Sequence, residues 1–438
     1  MGWSAARAPH ARGPVRTARP ECRRHRPTQS RRRDLIPPRC HRQPHPDGST
    51  PVSDIAIFTA IQRLVHGCGA LNQLADEVDR FGRRRILLVT DPGLVKAGIA
   101  GRALDLLQGR DVEVFSDVEP DPSIETVVAC ADRVRTQKCD LIVGLGGGSA
   151  IDTAKCASVM ATNPGAVEDY LGIDKVTSPG VPKIIVPTTA GTGSEVTNVA
   201  VLSLKAQHTK KGIVSRYLLA DTALLDPELT LGLPAAVTAA TGMDALTHAI
   251  EAYVSRFAQP MTDDFALRAI RLIGENLRTA VHNGQNIRAR EAMLTASLYA
   301  GYAFGSAATG MVHGLAMPLG GQFNIPHGIA NAVLLPHVMR WNLVAALPRY
   351  CDVAAALGET VAHLPVREGA ERAVATVEAL SRDVGIPAHL DDLAVPRSAM
   401  EALARDGMTN VRQVRPNPRD VTYEGLMDIL GRAFRPEA

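Results

Sequence analysis

The chain has 438 residues, 45% of them hydrophobic and 21% charged, which is typical of a globular protein long enough for two domains. It contains no run of eighteen or more apolar residues, so no membrane span is predicted. The net charge of +3 originates in residues 1–46, which hold twelve arginines and two acids. The remainder has seven more acidic than basic residues, which argues against nucleic acid as its main partner.

Residues 1–52 form an Arg- and Pro-rich extension with no apolar periodicity, and we expect it to be disordered. A transit peptide is one interpretation, but the eight prolines within residues 1–50 would break the amphipathic helix that it needs. A twin-arginine signal at residues 30–33 is rejected because no apolar stretch follows. The favoured hypothesis is a mis-assigned start codon, with the protein beginning near Val52.

Residues 53–230 alternate short β-rich runs with helical stretches. Strands are predicted at 85–90, 111–115, 140–144 and 183–187, and helices at 123–137 and 150–161. Continuous apolar strands that alternate with helices indicate a parallel sheet covered on both faces. This region is therefore predicted to be an α/β domain.

From residue 231 to 438 the β signals fade and helical patterns dominate. A helix is predicted from Pro234 to about residue 256, because proline suits the first turn. Further helices are predicted near 262–280, 287–307, 329–357, 367–384, 398–406 and 422–433. This half is predicted to be all-helical, with a ligand cleft between it and the α/β half.

The glycine-rich segment 144–155 (GLGGGSAIDTAK) follows a predicted strand and opens a predicted helix. Glycines let a backbone approach an anion closely, and a helix N-terminus offers free N–H groups to a pyrophosphate. The alternative is a tight strand-to-helix turn without a ligand. The spacing GxGGGS differs from the GxGxxG fingerprint, which is not claimed.

Two further features are compatible with a nucleotide. The segment 188–197 (TTAGTGSEVT) also follows a strand, and its hydroxyls could line a ribose or form only local turns and caps. Asp91 ends the first predicted strand, where an acid can accept ribose hydrogen bonds or serve as a simple turn residue.

One carboxylate and three imidazoles form a candidate metal set: Asp244, His248, His313 and His327. Asp244 and His248 are four residues apart, so a helix places them on one face. Such a donor set suits iron, zinc or another borderline divalent metal. For each histidine a hydrogen-bonded core role is the alternative.

The seven cysteines are odd in number, scattered and without a CxxC motif. Reduced thiols in a cytoplasmic protein are the simplest interpretation.

Five segments, taken in order, resemble the iron-containing (group III) alcohol dehydrogenases. They are GGGSAIDTAK (146–155), PTTAGTGSEVT (187–197), DPELT (226–230), TGMDALTHAIEAY (241–253) and GMVHGLAMPLGGQFNIPHGIANAVLLPHVM (310–339). The resemblance covers about residues 53–435. It implies a Rossmann-like α/β N-terminal domain and an all-α C-terminal domain, the architecture shared with dehydroquinate synthases.

The resemblance also implies roles for individual residues. Asp244, His248, His313 and His327 would bind one divalent metal, with Fe²⁺ expected first and Zn²⁺ or Mn²⁺ as alternatives. The expected nucleotide is NAD rather than NADP. Its predicted contacts are Asp91, Gly146, Gly147, Gly148, Ser149, Asp152, Thr188, Thr189, Thr192 and Lys211.

The resulting functional prediction is reversible hydride transfer between a small alcohol and NAD, in a homodimer or larger homo-oligomer. A hydroxyacid–oxoacid transhydrogenase or a maleylacetate reductase of the same superfamily is the alternative. One departure from the family's pattern is Met317, which stands where many members carry a second, proton-relaying histidine. A thioether cannot carry that proton.

Overall fold

A six-stranded parallel sheet organises the first half of the chain. The computed structural model describes residues 56–82, 85–207 and 209–436. The predicted extension 1–52 and the hypotheses about it lie outside these residues. The strands run in the order β1-β9-β6-β4-β2-β3. Their bounds are β1 Arg63–His66, β2 Arg85–Val89, β3 Asp111–Phe115, β4 Leu141–Gly146, β6 Lys183–Pro187 and β9 Thr222–Leu225.

Helices cover both faces of this sheet, which explains its continuously apolar strands. β4 and β6 are buried at every position, with alternate side chains entering two separate cores. The helices of this half are α1 Leu74–Arg80, α2 Pro92–Lys96, α3 Ile99–Leu106, α4 Ile124–Thr136 and α5 Gly148–Met160.

A small mixed sheet extends the α/β half. β8 lies between its two neighbours, parallel to β5 and antiparallel to β7. The strands are β5 Gly172–Ile173, β7 Val199–Leu204 and β8 Thr209–Val214.

The second half is helical in the part of the chain that the structure describes. Its α-helices are α6 Ala235–Val254, α7 Pro260–His282, α8 Ile287–Ala307, α9 Met311–Phe323, α10 His327–Asn342, α11 Leu347–Ala356, α12 Val366–Asp383, α13 Met400–Thr409, α14 Val411–Val414 and α15 Tyr423–Ala433. α6 is buried along most of its length and packs against α7, α8 and α10. The predicted fold class, a parallel α/β domain followed by an all-α domain, is confirmed.

The predicted helices of the second half differ from the structure in two places. The single helix expected at 329–357 is two helices, α10 and α11, separated by a short 3-10 turn at Leu343–Ala345. The helix α9 was not predicted at all, because four glycines and Pro318 within or beside it argue locally against a helix. Its burial in the core overrides that local preference. None of the described helices has the length and apolar character to cross a membrane.

Candidate functional site

Three helices of the second half bring the predicted metal set together. Asp244 and His248 lie one turn apart on α6, His313 is on α9, and His327 is the first residue of α10. From the Asp244 carboxylate oxygens, one nitrogen of each histidine is 3.9 Å away. Two donor atoms that each contact one zinc-sized cation at about 2.1 Å are at most about 4.2 Å apart. Donor atoms of Asp244, His248 and His313 lie within 4.8 Å of one another, close to what a single shared cation requires, whereas His327 reaches Asp244 but lies outside that mutual group.

The electrostatics of the set also suit a cation. Burial acts to raise the pKa of the Asp244 carboxyl, but the three imidazoles and a donated amide hydrogen bond outweigh it and lower that pKa. Burial lowers the pKa of His248, and burial with the two neighbouring imidazoles holds the pKa of His313 well below its usual value. These directions favour an ionised Asp244 and neutral His248 and His313, the protonation states that metal binding requires.

The hydrogen bonds within the set leave a histidine nitrogen available as a metal ligand. Asn331 donates from Nδ2 to Asp244 at 2.6 Å, and the same nitrogen lies 3.1 Å from His327 Nε2 and 3.3 Å from His313 Nε2. Among the described residues, His248 Nδ1 is buried without a hydrogen-bond partner. An unpartnered buried nitrogen that faces a carboxylate is costly unless something else satisfies it. A bound divalent cation would do so, and the residues present fit one.

Glu251 forms a hydrogen bond with His313 on the side away from the metal set, and this residue was not predicted from the sequence. Its carboxylate accepts a hydrogen bond from His313 Nδ1 at 2.6 Å and another from the backbone N–H of Val312 at 2.7 Å. Burial raises the pKa of Glu251 to about 7. A carboxylate on the far nitrogen of a ligating histidine fixes the ring and its tautomer. The available signal was spacing, since Glu251 lies three residues after His248 on the same helix.

The predicted nucleotide-binding loops lie side by side at the carboxyl edge of the main sheet. β2, β4 and β6 are adjacent and parallel, so Asp91, the glycine segment and the threonine segment emerge together. The backbone N–H of Thr188 donates to the carbonyl of Gly146 at 2.9 Å, which joins the last two loops.

At two positions of this loop, any residue larger than glycine would clash with neighbouring side chains. A Cβ on Gly146 would stand 2.5 Å from that of Ala150, and one on Gly148 would stand 2.7 Å from Thr192 Cγ2. Helix α5 begins at Gly148, and its N-cap Gly147 offers no side-chain cap to the first N–H groups. These free N–H donors, together with the helix dipole, can bind a phosphate.

A buried polar cluster fixes α5 against the threonine segment. Lys155 donates to the carbonyl and the hydroxyl of Ser194, both at 2.9 Å. Asp152 accepts hydrogen bonds from the Ser194 hydroxyl and from the backbone N–H of Val201. Burial lowers the pKa of Lys155 and raises that of Asp152. The cluster holds the loop shape without needing a ligand, and Asp152 still faces the cavity.

A cavity of about 480 Å³ joins the metal set to the end of the nucleotide loops. Its wall includes all four predicted metal ligands. Of the predicted nucleotide contacts it includes Gly148, Ser149, Asp152 and Thr192. Gly146, Gly147, Thr188, Thr189 and Asp91 line the sheet edge outside this wall, where the remote part of a dinucleotide would extend. Asp91 Oδ2 would lie 3.5 Å from a Cβ on Gly146, so that carboxylate borders the glycine loop.

Lys211 does not lie on the cavity wall. It is exposed, whereas its neighbour Lys210 is buried, lines the cavity and pairs with Asp121 at 2.8 Å. Successive residues of β8 point to opposite faces, so an offset of one residue moves the side chain across the sheet.

Comparison with known proteins gives a consistent result. The family model described as "Iron-containing alcohol dehydrogenase" matches residues 62–227, and the C-terminal model of the Fe-containing alcohol dehydrogenase family matches residues 238–434. The chain is 46% identical to long-chain-alcohol dehydrogenase 1 of Geobacillus thermodenitrificans, over 84% of this chain and 94% of that protein. It is 39% identical to the NAD-dependent methanol dehydrogenase of Bacillus methanolicus, over 84% and 97% of the two chains.

A solved structure described as 1,3-propanediol oxidoreductase superposes with a TM-score of 0.85 at 42% identity, covering 87% of this chain and all of that one. A parallel α/β domain with a phosphate-type loop and a helical domain with a histidine-rich site together indicate the class of metal- and nucleotide-dependent enzymes. Within that class, the chain belongs to the iron-containing alcohol dehydrogenase family. The predicted family and the predicted class of enzyme, an alcohol oxidoreductase, are confirmed.

Proposed function

We propose that this protein is a metal-dependent, NAD-linked dehydrogenase that interconverts a small alcohol and its aldehyde or ketone. One observation carries the proposal: a single cavity has the Asp244–His248–His313–His327 set and the N-terminus of α5 on its wall. The residues that would hold the metal and the loop that would hold the nucleotide therefore line one cavity, where the substrate alcohol and the nicotinamide would meet. The family's iron and the NAD dependence of a 39% identical relative support the choice of cofactors.

In this proposal the four side chains hold one divalent metal, Fe²⁺ in preference to Zn²⁺ or Mn²⁺. When bound, the metal supplies a Lewis acid that lowers the pKa of the alcohol hydroxyl, and NAD supplies the hydride acceptor. Glu251 keeps His313 oriented through the hydrogen bond to Nδ1. Phe304 stacks on His248 at 4.2 Å between ring centroids and excludes water from that side of the set.

The cofactor would lie along the sheet edge. Gly147 and Gly148 give its pyrophosphate close access to the first N–H groups of α5. Asp91 would accept ribose hydroxyl hydrogen bonds and repel a 2′-phosphate, which favours NAD over NADP. Asp91 already caps α2 through Oδ1, which accepts from the N–H of Leu94 at 3.1 Å, so its second oxygen is the one available to a ribose.

The hydroxyl proton must leave by a route that does not use residue 317. Met317 lines the cavity, and its thioether neither donates nor carries a proton. Hydroxyl groups on the wall, such as Ser149 and Thr192, together with ribose and water, are the groups that can relay it. Hydride transfer itself needs no side chain at that position.

The test measures NAD⁺ reduction with a panel of C2–C6 alcohols and diols, with metal content determined on the same samples. We expect activity that is lost on chelation and restored by Fe²⁺ or Zn²⁺. His313→Ala should keep the fold but lose most bound metal and turnover. His282→Ala, at an exposed histidine on α7, is the matched control and should change neither. Full activity without metal would contradict the proposal.

The proposal also includes three features of the molecule as a whole. We expect a homodimer or larger homo-oligomer, a cytoplasmic location, and a division into domains at residues 53–230 and 231–438. Light scattering, cell fractionation and limited proteolysis test them separately.

A further inference from the structure

One cationic side chain on the cavity wall has no role in the function proposed above. Arg412 lies on the short helix α14 and lines the cavity together with the metal set. Within the part of the chain that the structure describes, its guanidinium has no hydrogen bond or ion pair. Burial lowers the pKa of Arg412 to about 10, far above neutrality, so the side chain carries its charge.

The position of Arg412 is fixed by the helix that carries His313. Asn410, two residues before Arg412, donates from its side-chain amide to the carbonyl of Gly314 at 2.8 Å, directly after that histidine. Gln413 packs with its Cβ 3.3 Å from where a Cβ on Gly314 would stand. Arg412 and His313 line the same cavity. The charge therefore lies near the candidate metal centre.

The neighbouring strand leaves space for the guanidinium. A Cβ on Gly212 of β8 would stand 3.2 Å from Arg412 Nη1, so a larger residue there would crowd it. Gly212 leaves space beside the guanidinium, and helix α14 is anchored to α9. The Arg412 side chain is therefore directed to the cavity and not to a partner inside the protein.

The other charged groups on the wall are already paired or assigned. Lys210 contacts Asp121 at 2.8 Å, and Asp152 accepts two hydrogen bonds within the loop cluster. Asp244 belongs to the metal set. Arg412 is thus the charged side chain on the described wall that lacks a counter-charge.

Besides Arg412 and the metal set, the cavity wall includes apolar surface from Val237, Phe304, Met317 and Ile329. An unpaired charge beside apolar surface is unfavourable, and an anionic ligand group would relieve that cost. Apolar lining in addition suits a short methylene chain.

We propose that Arg412 binds the anionic head group of the substrate, which is a short aliphatic alcohol or aldehyde that carries a carboxylate at its other end. This inference rests on the proposed dehydrogenase function. Arg412 is a specificity-determining residue in it: the metal set holds the reacting oxygen, and the guanidinium holds the far end of the same molecule. A bidentate guanidinium–carboxylate pair would fix the length and orientation of the substrate.

The experiment compares matched aldehydes in NADH oxidation by the metal-loaded enzyme. The pairs are ω-oxo carboxylates of three to five carbons and the corresponding unbranched neutral aldehydes. We expect the wild type to prefer one of the anionic aldehydes in kcat/KM. Arg412→Met should lower kcat/KM for that aldehyde about ten- to hundredfold, the range for losing a charge-assisted hydrogen-bonded pair. The neutral aldehyde should change less than about threefold.

Two further variants complete the test. Arg412→Lys should restore part of the activity towards the anion, because it keeps the charge but not the bidentate geometry. Arg415→Met removes an exposed arginine three residues later and should leave both aldehydes unaffected.

Three outcomes overturn the inference. An equal loss on anionic and neutral aldehydes would mean that Arg412 acts on structure rather than on specificity. A selective rise in the KM for NADH would assign Arg412 to the cofactor phosphates. No NADH oxidation with any aldehyde would overturn the proposed function itself, together with the inference that rests on it.

Discussion

Replacing Glu251 tests whether the metal set depends on a residue that does not itself face the metal. Glu251→Gln preserves size and shape but removes the charge. Glu251 now accepts from two donors, His313 Nδ1 and the Val312 N–H. A glutamine has one oxygen, so it can accept from one of them while its NH₂ group opposes the other.

The magnitude follows from those two contacts. Hydrogen bonds to charged groups contribute about 1.5–3 kcal/mol each, and a buried donor left unsatisfied costs about 1–3 kcal/mol. We therefore expect the free energy of unfolding of the metal-free protein to fall by about 1–3 kcal/mol. Loss of a carboxylate behind a ligating histidine typically weakens metal affinity about 10–100-fold, and we expect that range here.

The assay is competition with a chelator of known affinity, run with Zn²⁺, beside urea unfolding of the metal-free forms. Glu378→Gln is the control, since it makes the same chemical change in a surface ion pair with Arg340. Exposed pairs contribute about 0–1 kcal/mol, so this variant should bind metal as the wild type does. A metal affinity of Glu251→Gln within twofold of wild type would refute the reasoning.

Three other predictions concern the α/β half. Gly148→Val should weaken NAD⁺ binding at least about tenfold in calorimetry, because its Cβ would stand 2.7 Å from Thr192 Cγ2. Gly101→Val, where no atom lies within 4 Å of the added Cβ, is the control. Asp91→Asn keeps a helix N-cap but removes the charge, so the NADP⁺ to NAD⁺ ratio of kcat/KM should rise about tenfold; an unchanged ratio would refute the role of the acid. Burial lowers the pKa of Lys183 to about 8 from 10.5, so the unfolded chain holds more protons between these values. The free energy of unfolding should therefore rise by up to about 3 kcal/mol as the pH increases from 8 to 10.5, and urea titrations of Lys183→Met should lack that rise.

The α/β half could be predicted best where local and global preferences agree. The strands that became β4 and β6 are continuously apolar, and each ends in a Gly- or Thr-rich loop, so their sequence alone indicates buried parallel strands. β8 could not be found in that way. Its sequence TKKGIV has two consecutive lysines, and pairing with β5 and β7 makes it a strand. Lys211, which the family resemblance indicates, lies on the exposed face of β8, whereas Lys210 lines the cavity.

The metal set was accessible to sequence reasoning because its four members have unusual chemistry in recognisable contexts. That the four residues meet in space could not be predicted, because it depends on α9, a helix whose glycines and proline argue locally against helix formation. Gly314 lies in close packing, since a Cβ there would stand 2.8 Å from Met311 Cε and 3.3 Å from Gln413 Cβ. Asn331 and Glu251 were missed for a different cause. Each is an ordinary polar helix residue whose meaning lies in contacts to other helices.

The central claim is that one cation, bound by four side chains, faces a nicotinamide across the cavity. A crystal structure of the metal-loaded protein with NAD⁺, with diffraction data collected on both sides of the metal absorption edge, measures this directly. We predict one anomalous peak at about 2.0–2.2 Å from donor atoms of Asp244, His248, His313 and His327, with the nicotinamide in the same cavity. A peak bound by other residues, or a nicotinamide outside the cavity, would contradict the claim.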